Sequence, residues 1–348
     1  MLMGKIVLHL PGTSSVIYVD RGLTDIRDLI PDGKIAIITD SNVFRYYGDR
    51  FPDAPVIVLE PGEQSKNLDT ISSVYDQLVR AELDRKSFIL GIGGGMVCDV
   101  TGFAASTFLR GIPFGFIATS LLAQVDASIG GKNGVNFKGY KNIIGVIRQP
   151  EFIICELDML DTLDEKEFLG GFAEIIKYGA IKDEKFFNYL TGNLRAALLK
   201  DKEVLKHIVS VCVRIKCAVV EADEFESGER KILNYGHTFG HAFEKVYGIS
   251  HGEAVSIGMV IATEISVKTG LLGREAGDSI TGLIKETGLP VSIDLDSQAV
   301  MQAIRMDKKR SGNKVGLVLL DRIGNAIVRD FDFDVVKELL NDLYKPGK

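Results

Sequence analysis

Three of the chain's five histidines fall within fifteen residues, at positions 237, 241 and 251. His237 and His241 stand four apart in Asn234-Tyr235-Gly236-His237-Thr238-Phe239-Gly240-His241, so a helix there brings both imidazoles to one face. His251 follows in His251-Gly252-Glu253, just ahead of another apolar stretch. Imidazole nitrogen with carboxylate oxygen is donor chemistry for Zn²⁺, and three protein ligands with one open position describe a catalytic ion. The carboxylate must come from elsewhere. Glu174, in Gly170-Gly171-Phe172-Ala173-Glu174-Ile175-Ile176-Lys177, is a candidate because it is an acid in an apolar helical stretch beside a glycine pair. Spacing alone nominates His237 and His241 as the ligand pair. A lone histidine would read as packed or solvated; three together, with glycines between them, favour a metal.

A second constellation is a glycine loop. The apolar run 87–92 leads straight into Gly93-Gly94-Gly95, and a helical pattern follows over 96–108. Bare backbone N–H groups at a helix N-terminus attract anions, and glycine lets a phosphate come close. Asp40, closing the apolar run 34–39, could hold a ribose hydroxyl. The fit to the usual dinucleotide fingerprint is incomplete. Met96 occupies the sixth position of G-x-G-x-x-G, and the acid precedes the glycines instead of following them. A standard Rossmann domain is disfavoured, while a dinucleotide site on a related sheet survives; tight strand–helix packing is the bland alternative. Cations in glycine-rich settings add anion sites: Lys132 after Gly130-Gly131, Lys141 after Gly139-Tyr140, Arg110 before Gly111, and Lys308 and Lys309 after Asp307. Taken singly, each is an ordinary solvated cation.

The elements that must position these groups divide the chain. Apolar runs at 34–39, 56–59, 87–92, 114–118 and 153–155 alternate with helical spacing such as 67–83, which predicts a doubly wound, mostly parallel α/β sheet. Beyond about residue 160 the texture is helical, over 165–181, 202–222, 230–247, 252–269 and 274–287. A hairpin at 315–320 and 326–331 and a closing helix at 335–343 follow. Two domains are expected, 1–160 and 161–348. The net charge of −6, from 41 Lys+Arg and 47 Asp+Glu, argues against nucleic acid or an anionic membrane as the main partner. Cys98, Cys155, Cys212 and Cys217 form no C-x-x-C pair, which predicts reduced thiols and a cytoplasmic protein.

At these residues the sequence resembles the 3-dehydroquinate synthases of the sugar phosphate cyclase family. The carrying motifs are PGEQSK (61–66), GGGMVCDVTGFAASTFLRG (93–111), VDASIGGKNGVN (125–136), GYKNIIG (139–145), GGFAEIIKYG (170–179), NYGHTFGHA (234–242), HGEAVSIGM (251–259) and MDKK (306–309). The resemblance implies an NAD-binding α/β domain followed by a mainly helical metal-binding domain. It implies a small sugar acid phosphate as substrate, one divalent ion (Zn or Co), and a homodimer.

It also implies a ligand set that differs from the spacing argument: Glu174, His237 and His251 hold the metal, and His241 falls on a proton-transfer position. Asp40, Asn42, Glu63, Gln64, Ser65, Lys66, Gly94, Gly95, Met96, Val97, Cys98, Asp99, Thr119, Ser120, Lys132, Lys141, Met159, Leu160, Asp161 and Thr162 fall on or beside NAD positions. Arg110, Asp126, Lys132, Asn142, Lys177, Lys216, Arg230, Asn234 and Lys308 fall on substrate positions, and Glu226 on an acid/base position. Tyr235 stands where the family often has tryptophan.

Overall fold

A strand covered by helices on both faces is apolar along its whole length, and continuous apolar runs recur through the first half of this chain. The computed structural model describes residues 4–307 and 314–344. It comprises two compact units: Met1–Asp164 with Lys200–Phe225, and Glu165–Leu199 with Glu226–Lys348. The first unit holds β1 (Gly4–Leu10), β2 (Thr13–Val19), β3 (Ile35–Asp40), β4 (Val56–Leu59), β5 (Phe88–Gly93), β6 (Phe114–Ala118), β7 (Lys132–Phe137), β8 (Tyr140–Ile147) and β9 (Phe152–Cys155). Seven of these form one sheet in the order β1-β2-β9-β6-β5-β3-β4, parallel from β2 to β4. β1 joins antiparallel at one edge, and β7 and β8 make a separate hairpin.

Every residue of the central strand β5 is buried. Ile37, Leu90, Ile92, Ile117 and Ile154 form the core here, with Phe88 stacked on Phe152 at 5.7 Å between ring centres. From β3 the chain winds outward to β4, then returns to place β5 on the other flank of β3, with β6 and β9 beyond. The winding reverses between β3 and β5. At such a reversal the loops leaving the carboxyl ends diverge and open a crevice. Helices α1 (Ser41–Tyr47), α2 (Leu68–Arg80) and α3 (Gly95–Thr107) connect the strands. α2 buries Ile71, Val74 and Leu78, one stripe at helical spacing, and starts where the Asn67 side chain accepts the Thr70 N–H at 2.9 Å.

The second unit contains α4 (Glu165–Lys182) and α5 (Glu184–Leu198). The helix after them, α6 (Lys202–Ala222), packs in the first unit against β1 and β2. The expectation that residues 161–348 form one domain is corrected here: helical periodicity shows that α6 buries a face but not which core receives it. α7 (His237–Tyr247), α8 (His251–Lys268), α9 (Arg274–Glu286) and α10 (Ser297–Asp307) follow. The antiparallel pair β10 (Lys314–Arg322) and β11 (Asn325–Asp332) and then α11 (Phe333–Leu343) complete the unit. Phe239, Phe243, Ile257, Ile261, Val300, Leu317, Leu319, Val336 and Leu340 share its core. The helix expected over 230–247 is broken. A 3₁₀ turn, Glu229–Asn234, ends before Gly236, whose left-handed φ of 81° redirects the chain and starts α7 at His237. Among the described residues no helix is long and apolar enough to cross a membrane. The four cysteines are free and buried.

α4 and α8 touch backbone to backbone. A Cβ on Gly252 would lie 2.3 Å from the Gly170 Cα, so only glycine allows this approach. We expect Gly252→Val to destabilise the protein by about 1–3 kcal/mol through overpacking. Gly192→Ala, at an exposed position of α5 with nothing within 4 Å of the added atom, should instead stabilise by up to about 1 kcal/mol. Thermal melts of the two variants against the wild type check this; equal melts would contradict it.

Candidate metal centre and nucleotide loops

The close contact of α4, α7 and α8 brings three donors together. Glu174 on α4 is fully buried, and its Oε1 lies 3.3 Å from His251 Nε2 and 3.4 Å from His237 Nε2. Ligand atoms about 2.1 Å from a tetrahedral ion sit about 3.4 Å apart, so these separations are edges of a coordination tetrahedron. All three donor atoms lie within 4.8 Å of one another. Among the described residues this is the one such group of His, Cys, Asp and Glu.

The far side of each ring is also held. His237 Nδ1 is 3.1 Å from the Tyr235 carbonyl oxygen, and His251 Nδ1 is 3.1 Å from Glu244 Oε1. An Nδ1–H donated to oxygen leaves the Nε2 lone pair facing the common point, as a metal requires. The other carboxylate oxygen of Glu174, Oε2, ion-pairs with the buried Lys177 ammonium, so one oxygen is left for the ion. These residues fit a divalent ion with an open coordination position.

His241 lies outside the donor group. Its ring is 5.4 Å from that of His237, as i,i+4 spacing dictates, but it is exposed. The ligand pair nominated by spacing is therefore corrected. His251 reaches His237 by packing of α8 on α7, which a single-helix pattern does not register. Burial, then the nearby Lys177, His251 and His241 charges, hold His237 well below the usual histidine range, so it is neutral at pH 7. Burial acts the same way on His251, but hydrogen bonds and charge from Glu174 and Glu244 outweigh it and push this imidazole up to about 9. Nearby on the same unit, Asn234 Nδ2 donates to Glu226 Oε1, and Arg230 is buried. Glu226 takes a left-handed φ of 60°. Glu244, one of the two groups behind the imidazoles, was missed in the sequence. Its signal is its place on α7, seven residues beyond His237.

On the first unit, most of the positions assigned to NAD gather at the carboxyl edge of the sheet, whereas Lys132 and Lys141 lie on the separate β7–β8 hairpin. Asp40 ends β3, Glu63–Lys66 follow β4, Gly94–Asp99 follow β5, Thr119 and Ser120 follow β6, and Met159–Thr162 follow β9. α3 begins at Gly95 after the N-cap Gly94, with no side-chain cap, so its first N–H groups are available to an anion. Asp40 Oδ1 caps α1 by accepting from Asn42 and Val43 N–H at 2.9 and 3.0 Å, and burial raises its pKa. Lys66 is buried in an ion pair with Asp99, whose carboxyl burial pushes up to about 6 against the pull of that lysine. The Val97, Cys98, Met159 and Leu160 side chains are buried, and the Cys98 and Met159 backbone N–H groups are donated to the Gly94 and Glu156 carbonyls. The loop and its acids fit a dinucleotide. Asp126 pairs with Lys216 of α6, while Arg110, Lys132, Lys141 and Asn142 are exposed. Lys308 lies outside the described residues.

Models of the 3-dehydroquinate synthase N-terminal and C-terminal regions match residues 56–170 and 171–310. The chain belongs to the 3-dehydroquinate synthase family. A 3-dehydroquinate synthase of Acetivibrio thermocellus is 40% identical, with 98% of this chain and 99% of that one covered. One from Thermodesulfovibrio yellowstonii is 40% identical over 98% of this chain and 100% of its own. The fold is similar to the solved structure of 2-epi-5-epi-valiolone synthase from Streptomyces hygroscopicus, bound to NAD⁺ and Zn²⁺. There the TM-score is 0.89 at 25% identity, covering 96% of this chain and 98% of that one. The α/β fold with a helical second half, expected from the resemblance, is that of the family.

Two outcomes follow for the metal centre. The metal-free protein carries a proton on His251 below about pH 9, and a bound ion displaces it. Affinity should therefore rise about tenfold per pH unit up to about pH 9 and then level off, with one proton released per ion. Titration calorimetry in buffers of different ionisation enthalpy reads this directly; no proton release would contradict it. Glu174→Gln should abolish binding and Glu244→Ala should weaken it about 10–100-fold, measured by metal content after dialysis.

Proposed function

We propose that this enzyme converts 3-deoxy-D-arabino-heptulosonate 7-phosphate to 3-dehydroquinate and inorganic phosphate, with one divalent ion and an NAD that is regenerated in every turnover. The observation that carries this reading is the convergence of Glu174, His237 and His251 in a chain whose relatives at about 40% identity bear the synthase name over nearly their whole length. The solved relative bound to NAD⁺ and Zn²⁺ supports the cofactor pair. The hard step is breaking an unactivated C–O bond to phosphate, because the neighbouring C–H is very weakly acidic. Bound in the two sites, the ion would polarise substrate oxygens as a Lewis acid and the nicotinamide would hold a hydride while a transient ketone acidifies that C–H.

The chain's own residues supply the rest. Glu174, His237 and His251 would hold the ion, with Lys177 keeping the carboxylate in place. Lys132, Arg110 and Lys308 would neutralise the phosphate until it leaves, and Asn142 would donate a hydrogen bond to it. Arg230 and Lys216 would hold the substrate carboxylate and hydroxyls, with Asp126 orienting Lys216. His241 and Glu226 would move a hydroxyl proton through water, and Asn234 would hold Glu226 for that task. Once phosphate has left and the transient ketone has been reduced back to the alcohol by the held hydride, the sugar ring opens, and the released enolate closes on the ketone that ring opening uncovers as an intramolecular aldol. The same reading takes the chain as a cytoplasmic homodimer, with Arg110 offered to the neighbouring copy's site. Its support is the family resemblance; Arg110 itself is exposed, next to Leu109, with both backbones left-handed.

Given the heptulosonate phosphate, catalytic NAD⁺ and Zn²⁺ or Co²⁺, the protein should release phosphate with no net rise in reduced-nicotinamide absorbance. Accumulation of NADH in step with turnover would mark a dehydrogenase instead. His241→Ala should lose about 10²-fold or more in kcat while retaining its metal. A near-wild-type kcat would remove His241 from the proton transfer.

A further inference from the structure

Asn136 sits at the irregular step of the β7–β8 ladder. Val135 pairs with Ile144 and Phe137 with Tyr140, so Lys141, Asn142 and Ile143 bulge opposite this single residue. Asn142 is held there with a left-handed φ of 50°. Bulges re-aim side chains and are common beside active sites. Three polar groups of Asn136 tie the bulge down. Its Oδ1 accepts the Asn142 N–H at 2.9 Å, its Nδ2 donates to Glu63 Oε1 at 2.8 Å, and its backbone N–H donates to the Lys66 carbonyl at 2.8 Å. Glu63 Oε1 is also 3.8 Å from Lys66 Nζ, which pairs with Asp99 on α3.

The partners dictate the residue type. An ionised Glu63 only accepts, and the Asn142 N–H only donates, so the group between them must offer one donor and one acceptor together. A carboxamide does this. An aspartate of the same shape cannot donate and sets a second negative charge against Glu63.

We propose that Asn136 is a positioning residue. It fixes the Lys141–Asn142 bulge against the Glu63–Lys66 loop, so that the substrate-phosphate and NAD segments keep one common geometry. This rests on the proposed function, which assigns those segments their ligands. Asn136 acts through the Asn142 backbone and the Glu63 carboxylate.

The test uses the holoenzyme. kcat, the KM for the heptulosonate phosphate and inhibition by inorganic phosphate are measured in wild type, Asn136→Ala, Asn136→Asp, Glu63→Gln and the Asn136→Asp/Glu63→Gln double variant, with thermal melts alongside. Asn136→Ala should raise KM and the phosphate inhibition constant about tenfold, with kcat changed much less. Asn136→Asp should be worse. The double variant should recover most of that extra loss, because a glutamine amide can donate where glutamate cannot. Packing alone would give no such exchange of donor and acceptor. Unchanged KM and phosphate inhibition in Asn136→Ala, or a double variant no better than Asn136→Asp, would overturn the proposal while the wild type still turned over. A wild type that neither turned over this substrate nor bound phosphate would overturn the function and this inference with it.

Discussion

The second unit is organised around one fully buried carboxylate. Leaving the Glu174 charge uncompensated inside an apolar helix pair would cost several kcal/mol. Lys177 on the same helix neutralises one oxygen, and two imidazoles converge on the other. That arrangement requires α4, α7 and α8 to approach closer than ordinary side chains permit. Gly170 against Gly252 and Gly236 against Gly258 make the approach possible. Glu244 and the Tyr235 carbonyl, behind the rings, hold the two imidazoles so that their Nε2 atoms and Glu174 Oε1 aim at one point. A dication is the species that such a set satisfies better than protons do.

The first unit solves a different problem with the same economy. A parallel sheet whose winding reverses between β3 and β5 delivers several loops to one edge, so short motifs far apart in sequence become neighbours without a dedicated scaffold. The Lys66–Asp99 ion pair ties the loop after β4 to the helix after β5. The β7–β8 hairpin, tied to the same loop through Asn136, adds exposed cations to it. A nucleotide and a phosphorylated substrate call for this mixture of uncapped amides, acids and cations.

Much of this was legible in the residues. The apolar runs marked β3, β4, β5, β6 and β9 to within a residue or two, because buried parallel strands carry their signal in composition. The spacing of His237 and His241 was legible too, but it named the wrong partner: periodicity speaks for one helix, and His251 arrives on the next. The motif resemblance supplied that choice. β1 and β2 were not seen, since Gly4–Leu10 is only partly buried and its alternation is weak. β7 and β8 read as cation-bearing loops because Tyr140–Ile147 is largely exposed and interrupted by Gly145 and the bulge. α6 was recognised as a helix, yet its membership in the first unit depends on a core that its own pattern cannot reveal. The break at Gly236 was hidden because glycine within a helical pattern is commonly tolerated.

The most direct measurement is X-ray absorption at the zinc edge of the loaded wild type and of His251→Ala and His241→Ala. The account predicts one ion per chain bound by two imidazoles and a carboxylate, unchanged in His241→Ala and degraded or absent in His251→Ala. A shell that loses an imidazole in His241→Ala and keeps both in His251→Ala would contradict it.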